Sequence, residues 1–115
     1  MMEELLEQLE KNWGWDGRKV MADLGGDLEF LKDCLGAFAR DYAFDRLNRA
    51  FIAGDWHDMA IQVHVLKGVS ANLGLTMMFE DLVALERQLR TNSHDGLGMM
   101  VDKINQWQSR LQTLI

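Results

Sequence analysis

Apolar residues recur along this chain at intervals of three and four, the repeat of a helix that buries one face. Met2, Leu5, Leu6 and Leu9 share one stripe and predict an amphipathic helix over roughly the first twelve residues. The stretch "NWGWDG" interrupts it, after which Asp16 is placed to cap a short helix carrying Val20, Met21 and Leu24, stopped by Gly25 and Gly26. Asp27 suits the N-cap of a long helix through Leu28, Leu31, Leu35, Phe38 and Tyr42. After a small phase shift that stripe continues through Leu47, Phe51 and Ile52 and ends at Gly54. Asp55 opens the next helix, with Asp58 as a first-turn acid, and this helix runs to Gly74. Thr76 is read as the cap of a segment bearing Met78, Leu82, Leu85 and Leu89. "TNSHDG" is a loop, and the last helix carries Leu97, Val101, Ile104, Trp107, Leu111 and Leu114. No alternating strand pattern and no internal repeat is present. The expected architecture is all-α: an up-down antiparallel four-helix bundle over residues 27–115, with residues 1–26 as an additional N-terminal helical cap, all in one domain.

Composition supports this reading and removes several function classes. The chain has no proline, 48% hydrophobic and 26% charged residues, an ordinary balance for a globular helical protein. Twelve basic against 18 acidic residues leave a net charge of −6, with no Lys/Arg cluster dense enough to track a phosphate backbone, so no nucleic-acid partner is expected. No apolar run is long enough to span a bilayer, the first helix lacks a basic polar face, and the acidic start lacks the basic region of a secretory signal. The single cysteine, Cys34, falls on an apolar stripe and reads as a buried free thiol, which suits a reducing cytoplasm. Trp13 and Trp15 are expected to anchor the first helix and Trp107 to fill the bundle.

One helix does not fit the usual division into a greasy inside and a charged outside. On a helical wheel Met59, Val63, Leu66, Ser70 and Leu73 define the core arc of the helix beginning at Asp55, with Trp56 at its edge. His64 lies about 150° from the arc's centre, and Gly68 within about 40° of His64. The histidine is therefore expected to face solvent. Its company is small, apolar and nearly uncharged: His57, Ile61, Val65, Gly68, Ala71 and Asn72, where a solvated face would carry Lys and Glu. Such a contiguous patch reads as a docking surface, with His57, Ile61, Val65, Ala71 and Asn72 as its partner-binding residues. Lys67 flanks it, within reach of the imidazole. Gly68 removes a Cβ one turn beyond His64 and makes room there for a group on the ring or for a partner, at about 1 kcal/mol of helix propensity. His57 and His64 stand seven residues apart, too far for ready pairing on one metal ion, and no metal site is expected. His94 reads as a turn residue, and Ser70 as bonded to a backbone carbonyl.

The segment "HVLKGVSANLG" resembles the signature of histidine-containing phosphotransfer (HPt) domains, in which Lys and Gly follow a histidine at fixed spacing and a small-residue segment ends in Leu-Gly. The matching positions are His64, Lys67, Gly68, Leu73 and Gly74. "AGDW" ahead of that helix, the "LE" at Leu85-Glu86 and the chain length extend the likeness over roughly residues 20–115. The resemblance implies that His64 accepts a phosphoryl group, on Nε2, from the phospho-aspartate of a response-regulator receiver domain and passes it to another receiver. Histidine suits the task because near neutral pH much of the imidazole in such side chains is unprotonated and nucleophilic. It implies that Lys67 offsets charge on the phosphoryl oxygens, and that Glu86 hydrogen-bonds the other imidazole nitrogen and orients the ring. Mg²⁺ and an acidic pocket are needed for the transfer. The partner receiver would supply both, no cofactor would be bound here, and no autonomous kinase activity is expected. Receivers or a hybrid sensor kinase would be the partners of a monomeric, cytoplasmic chain. The alternative is a non-catalytic helical interaction domain that binds a receiver or kinase through the same face.

Overall fold

The computed structural model describes the backbone of residues 2–115 and the side chains of residues 4–115, so the placing of Met2 on the first apolar stripe lies outside the described residues. Seven helices are found among them: α1 (Met2–Trp13), α2 (Gly17–Asp23), α3 (Leu28–Ala39), α4 (Tyr42–Ala53), α5 (Trp56–Asn72), α6 (Thr76–Leu89) and α7 (Leu97–Leu114). Helix takes 80% of the chain and no strand is present among the described residues, as the periodicity required. α4 packs on α5, α5 on α6, α6 on α7, and α7 closes the ring against α3 and α4. The result is a helical bundle 43 Å long and about half as wide.

Each helix places one stripe in the core. α5 contributes Met59, Val63, Leu66 and Ser70, α6 contributes Met78, Leu82 and Leu85, and α7 contributes Leu97, Val101, Ile104, Trp107 and Leu111. Polar groups drawn inward are all partnered: the Ser70 hydroxyl donates to the Lys67 carbonyl at 2.9 Å, and the Trp107 indole to Asp81 at 2.7 Å. Asn48 and Asn105 exchange amide hydrogen bonds between α4 and α7 at 2.9 Å each way. Among the described residues no buried side-chain nitrogen or oxygen lacks a partner. Such satisfaction matters because an unpaired buried polar group costs about 1–3 kcal/mol.

The predicted long helix over residues 27–53 is two helices. Asp27 caps the first, accepting from the Phe30 N–H at 3.0 Å, and Asp41 starts the second, its carboxylate accepting from the Ala43 N–H at 2.8 Å. The apparent phase shift in the sequence is this break. The inward stripe moves from Leu31, Leu35 and Phe38 to Ala43, Phe44, Leu47 and Ala50. Tyr42 and Ile52, read as core positions, consequently face outward, Ile52 at 85% exposure. Three smaller corrections accompany it. Cys34 is half-buried, not buried, because it sits at the margin of the α3 stripe. Thr76 is the first residue of α6 and Leu75 its N-cap, without a side-chain bond. Asp16 occupies the N-cap position of α2 but its carboxylate makes no capping bond.

The N-terminal segment is fixed where α5 turns into α6. Leu5, Leu9 and Trp13 are buried along one side of α1, which packs on α6, and Trp13 lies 4.7 Å from the Trp107 ring. The Trp15 indole donates to the Leu73 carbonyl at 3.0 Å, and the Asp16 N–H donates to the Gly74 carbonyl at 3.0 Å. Gly74 is required twice over. Its φ of +72° ends α5 in the left-handed region, and a Cβ there would stand 2.6 Å from Val20. The glycine of the Leu-Gly pair therefore holds the cap onto the bundle.

The burial pattern of α5 makes an energetic prediction. Leu66→Ala should destabilise the fold by about 2–5 kcal/mol, while Val65→Ala, one residue away on the open side, should change stability by about 0.5 kcal/mol or less. Urea denaturation of the two variants separates them; equal losses would mean that the face of α5 has been misassigned.

Candidate functional site

Because α5 buries Met59, Val63 and Leu66, the residues half a turn away are held outward along its length. His64 is among them, with its side chain 75% exposed, neither tucked into the bundle nor covered by the N-terminal segment. Ile61 and Val65 beside it are exposed apolar residues. At Gly68 an added Cβ would meet nothing within 4 Å. The fold's own packing does not require the glycine, so its effect is felt only at the outer surface, where it leaves the imidazole unobstructed from the next turn.

The charged part of the site is built across two helices. Glu86 of α6, its side chain only 14% exposed, presents both oxygens toward α5. Oε1 accepts from the Lys67 ammonium at 2.8 Å and from the Arg90 guanidinium at 3.3 Å, while Oε2 lies 3.5 Å from His64 Nδ1. The Lys67 hydrogen bond, opposed by partial burial and reinforced by His64 and by the charges of Lys67 and Arg90, holds the Glu86 carboxyl below its ordinary range. A carboxylate can only accept, so its presence at Nδ1 favours the tautomer carrying the proton there and leaves Nε2 with the free lone pair.

Around this cluster runs a shallow groove of about 390 Å³, lined by His57, Ala60, Ile61, Val65 and Leu89 together with His64, Glu86 and Arg90. Three residues of the expected docking surface, His57, Ile61 and Val65, are thus gathered around His64. Ala71 and Asn72 are exposed as expected but belong to a separate hollow between α5 and α2, shared with Lys19 and Asp23. Lys67 is held on Oε1 of Glu86, while the imidazole faces Oε2. A larger groove, about 970 Å³, runs between α1 and α7 past Lys11, Trp13 and Arg110. No histidine or cysteine lines it, and His64 lies in the smaller groove.

Sequence did not mark Arg90 as a site residue, and it read Leu89 only as part of the apolar stripe of its helix. The available signal was the Glu86/Arg90 spacing of four on one helix, which puts both on the same face. What sequence lacked was the pairing of that face with His64. His94, read as a turn residue, stacks on the Trp56 ring at 4.2 Å and so ties the loop after α6 to the start of α5. Among the described residues no group of three or more His, Cys, Asp or Glu side chains could hold a metal ion, and no helix is long and apolar enough to cross a membrane.

A protein-family model described as Hpt domain matches residues 1–115, the whole chain, which is more than the 20–115 over which the motif likeness extends. No curated protein and no solved structure matches the chain.

The depressed Glu86 pKa has a defined consequence for stability. The bonds to Lys67, Arg90 and His64 stabilise the fold fully above the ordinary glutamate value of 4.5, and that contribution is lost as pH falls through the lower folded value. The parent chain should therefore be more stable than Glu86→Gln at neutral pH and lose that advantage on acidification below 4.5. Denaturation midpoints of both proteins across pH measure it; a constant gap down to full protonation would show that the ion pairs contribute nothing.

Proposed function

The chain belongs to the Hpt-domain family, whose members transfer phosphoryl groups through a histidine in phosphorelays and interact with receiver domains and kinases, and we propose that His64 is the residue that carries the phosphoryl group. The observation carrying this reading is the imidazole itself, with its side chain 75% exposed and its Nδ1 turned to a carboxylate, an arrangement that favours Nε2 as the nucleophile. In the proposed step the Nε2 lone pair attacks the phosphorus of a receiver's phospho-aspartate. A P–N bond forms as the P–O bond to the aspartate breaks, and the electron pair leaves on the aspartate carboxylate. The proton on Nδ1 stays on the ring, facing Glu86. Transfer to a second receiver is the same exchange reversed, with that receiver's carboxylate attacking and Nε2 as the leaving atom.

Lys67 and Arg90 offset the charge of the phosphoryl oxygens, each having N–H donors beyond those that Glu86 engages. Gly68 leaves space for the group and for the receiver's rim, and the apolar groove with His57, Ile61 and Val65 is the docking surface. Ala71 and Asn72, exposed in the separate hollow beside α2, give the partner a second contact outside that groove. In this reading the Mg²⁺ and the acidic pocket that phosphoryl transfer requires are supplied by the receiver. The chain then presents a nucleophile to a partner's catalytic site, and no autonomous kinase activity is expected of it. The reading assigns it to the cytoplasm, as a monomer between receivers or a hybrid kinase and a receiver.

Incubation with a phosphorylated receiver and Mg²⁺ should place an acid-labile label on the parent chain and none on His64→Gln, with circular dichroism showing the variant folded. Label that persists in the variant removes His64 from the role. Ile61→Asp should leave the bundle intact, since Ile61 is exposed, and slow transfer by about tenfold or more through a charge buried against the partner. Unchanged transfer would mean that the receiver docks elsewhere.

A further inference from the structure

Two cations and one carboxylate meet at His64, and they meet on the carboxylate. Lys67 Nζ and Arg90 Nη2 both bind Oε1 of Glu86, at 2.8 and 3.3 Å, while Oε2 faces the imidazole. A neutral hydrogen-bond acceptor at this position could orient the ring just as well, so orientation alone does not account for a charged group there. We infer that Glu86 sets how long His64 keeps its phosphoryl group, acting as a built-in counter-charge that shortens retention and favours onward transfer. The inference rests on His64 being the phosphoacceptor.

The physical reasoning concerns net charge. With Glu86 ionised, the three side chains sum to one positive charge; with an amide in its place they sum to two. A phosphoryl group brings roughly two negative charges near neutral pH. Glu86 and that group would stand on opposite sides of one imidazole ring, close enough to repel through a partly apolar groove, and they would compete for the same ammonium and guanidinium. The Glu86 carboxylate is only 14% exposed, which limits dielectric screening by water, whereas a phosphoryl group on the 75% exposed His64 side chain would stay open to dissolved ions. The phosphorylated state is therefore held by cations already half-committed to another anion. Glutamine keeps a carbonyl oxygen for Nδ1–H and hence the ring's orientation, but it neither repels the phosphoryl group nor occupies Lys67 and Arg90 as strongly.

The test is to label the parent chain, Glu86→Gln and Arg90→Gln with a phosphorylated receiver and Mg²⁺, remove the receiver, and follow loss of the acid-labile label. Glu86→Gln should retain it about five to ten times longer than the parent, and Arg90→Gln should lose it faster. On re-addition of unphosphorylated receiver, the Glu86→Gln equilibrium should shift toward phosphohistidine by a similar factor, and added salt should narrow the gap. A residue that merely orients the ring would change the rate of labelling and leave this equilibrium and its salt dependence unmoved. Equal or shorter retention in Glu86→Gln, or a gap indifferent to salt, overturns the inference while leaving His64 as acceptor. Failure of the parent chain to label at His64 overturns the phosphoacceptor reading, and this inference falls with it.

Discussion

A single helix, α5, must satisfy two demands that only its periodicity can reconcile. Met59, Val63, Leu66 and Ser70 have to fill the space between α4 and α6, and that burial fixes the rotation of the helix about its axis. Once rotation is fixed, His57, Ile61, His64, Val65 and Gly68 have no choice but to face outward. Burying a leucine-sized side chain is worth about 1.5–3 kcal/mol, so several such contacts outweigh the propensity cost of Gly68 and the exposure of Ile61 and Val65. The outer face of α5 is thereby free to be shaped by chemistry. The inner face supplies rigidity, and the His64 imidazole is carried on a packed element that does not have to move to expose it.

α6 adds what α5 cannot provide alone. Its inward stripe of Met78, Leu82 and Leu85 sets its rotation in turn, placing Glu86 at the seam with α5 and Arg90 one turn further on. Packing of two apolar stripes is thus what brings one carboxylate to a lysine, an arginine and a histidine. At the other end of α5, the left-handed Gly74 and the Trp15 indole hold the N-terminal segment against the turn into α6, clear of the imidazole. The same molecule therefore separates what stabilises the bundle from the face left open around His64.

Most of the fold was legible because strong periodicity survives without tertiary information. The helices around Leu66, Leu82 and Leu111 and the "TNSHDG" loop emerged as read. The break at Arg40 and Asp41 was not, since a stripe of apolar residues spaced by three and four looks continuous across a break that shifts its phase. The decision lay in the Asp41 carboxylate capping a new turn. Tyr42 and Ile52 were misplaced for the same reason. At the site, the outward direction of His64 and the openness at Gly68 follow from one helix and were readable from its wheel. The Lys67–Glu86 contact and the part played by Arg90 depend on how α6 docks on α5, which no local pattern encodes. The division of Ala71 and Asn72 from the His64 groove likewise depends on where α2 lies.

The most direct measurement is phosphorus–nitrogen correlated NMR on ¹⁵N-labelled protein after phosphorylation by a receiver, which identifies the nitrogen bonded to phosphorus. The expected result is a single phosphoramidate on Nε2 of His64, with Nδ1 still protonated and facing Glu86. Phosphorus on Nδ1 of His64, or on His57 or His94, would contradict the assignment of the exposed, carboxylate-oriented imidazole as the group that carries the phosphoryl.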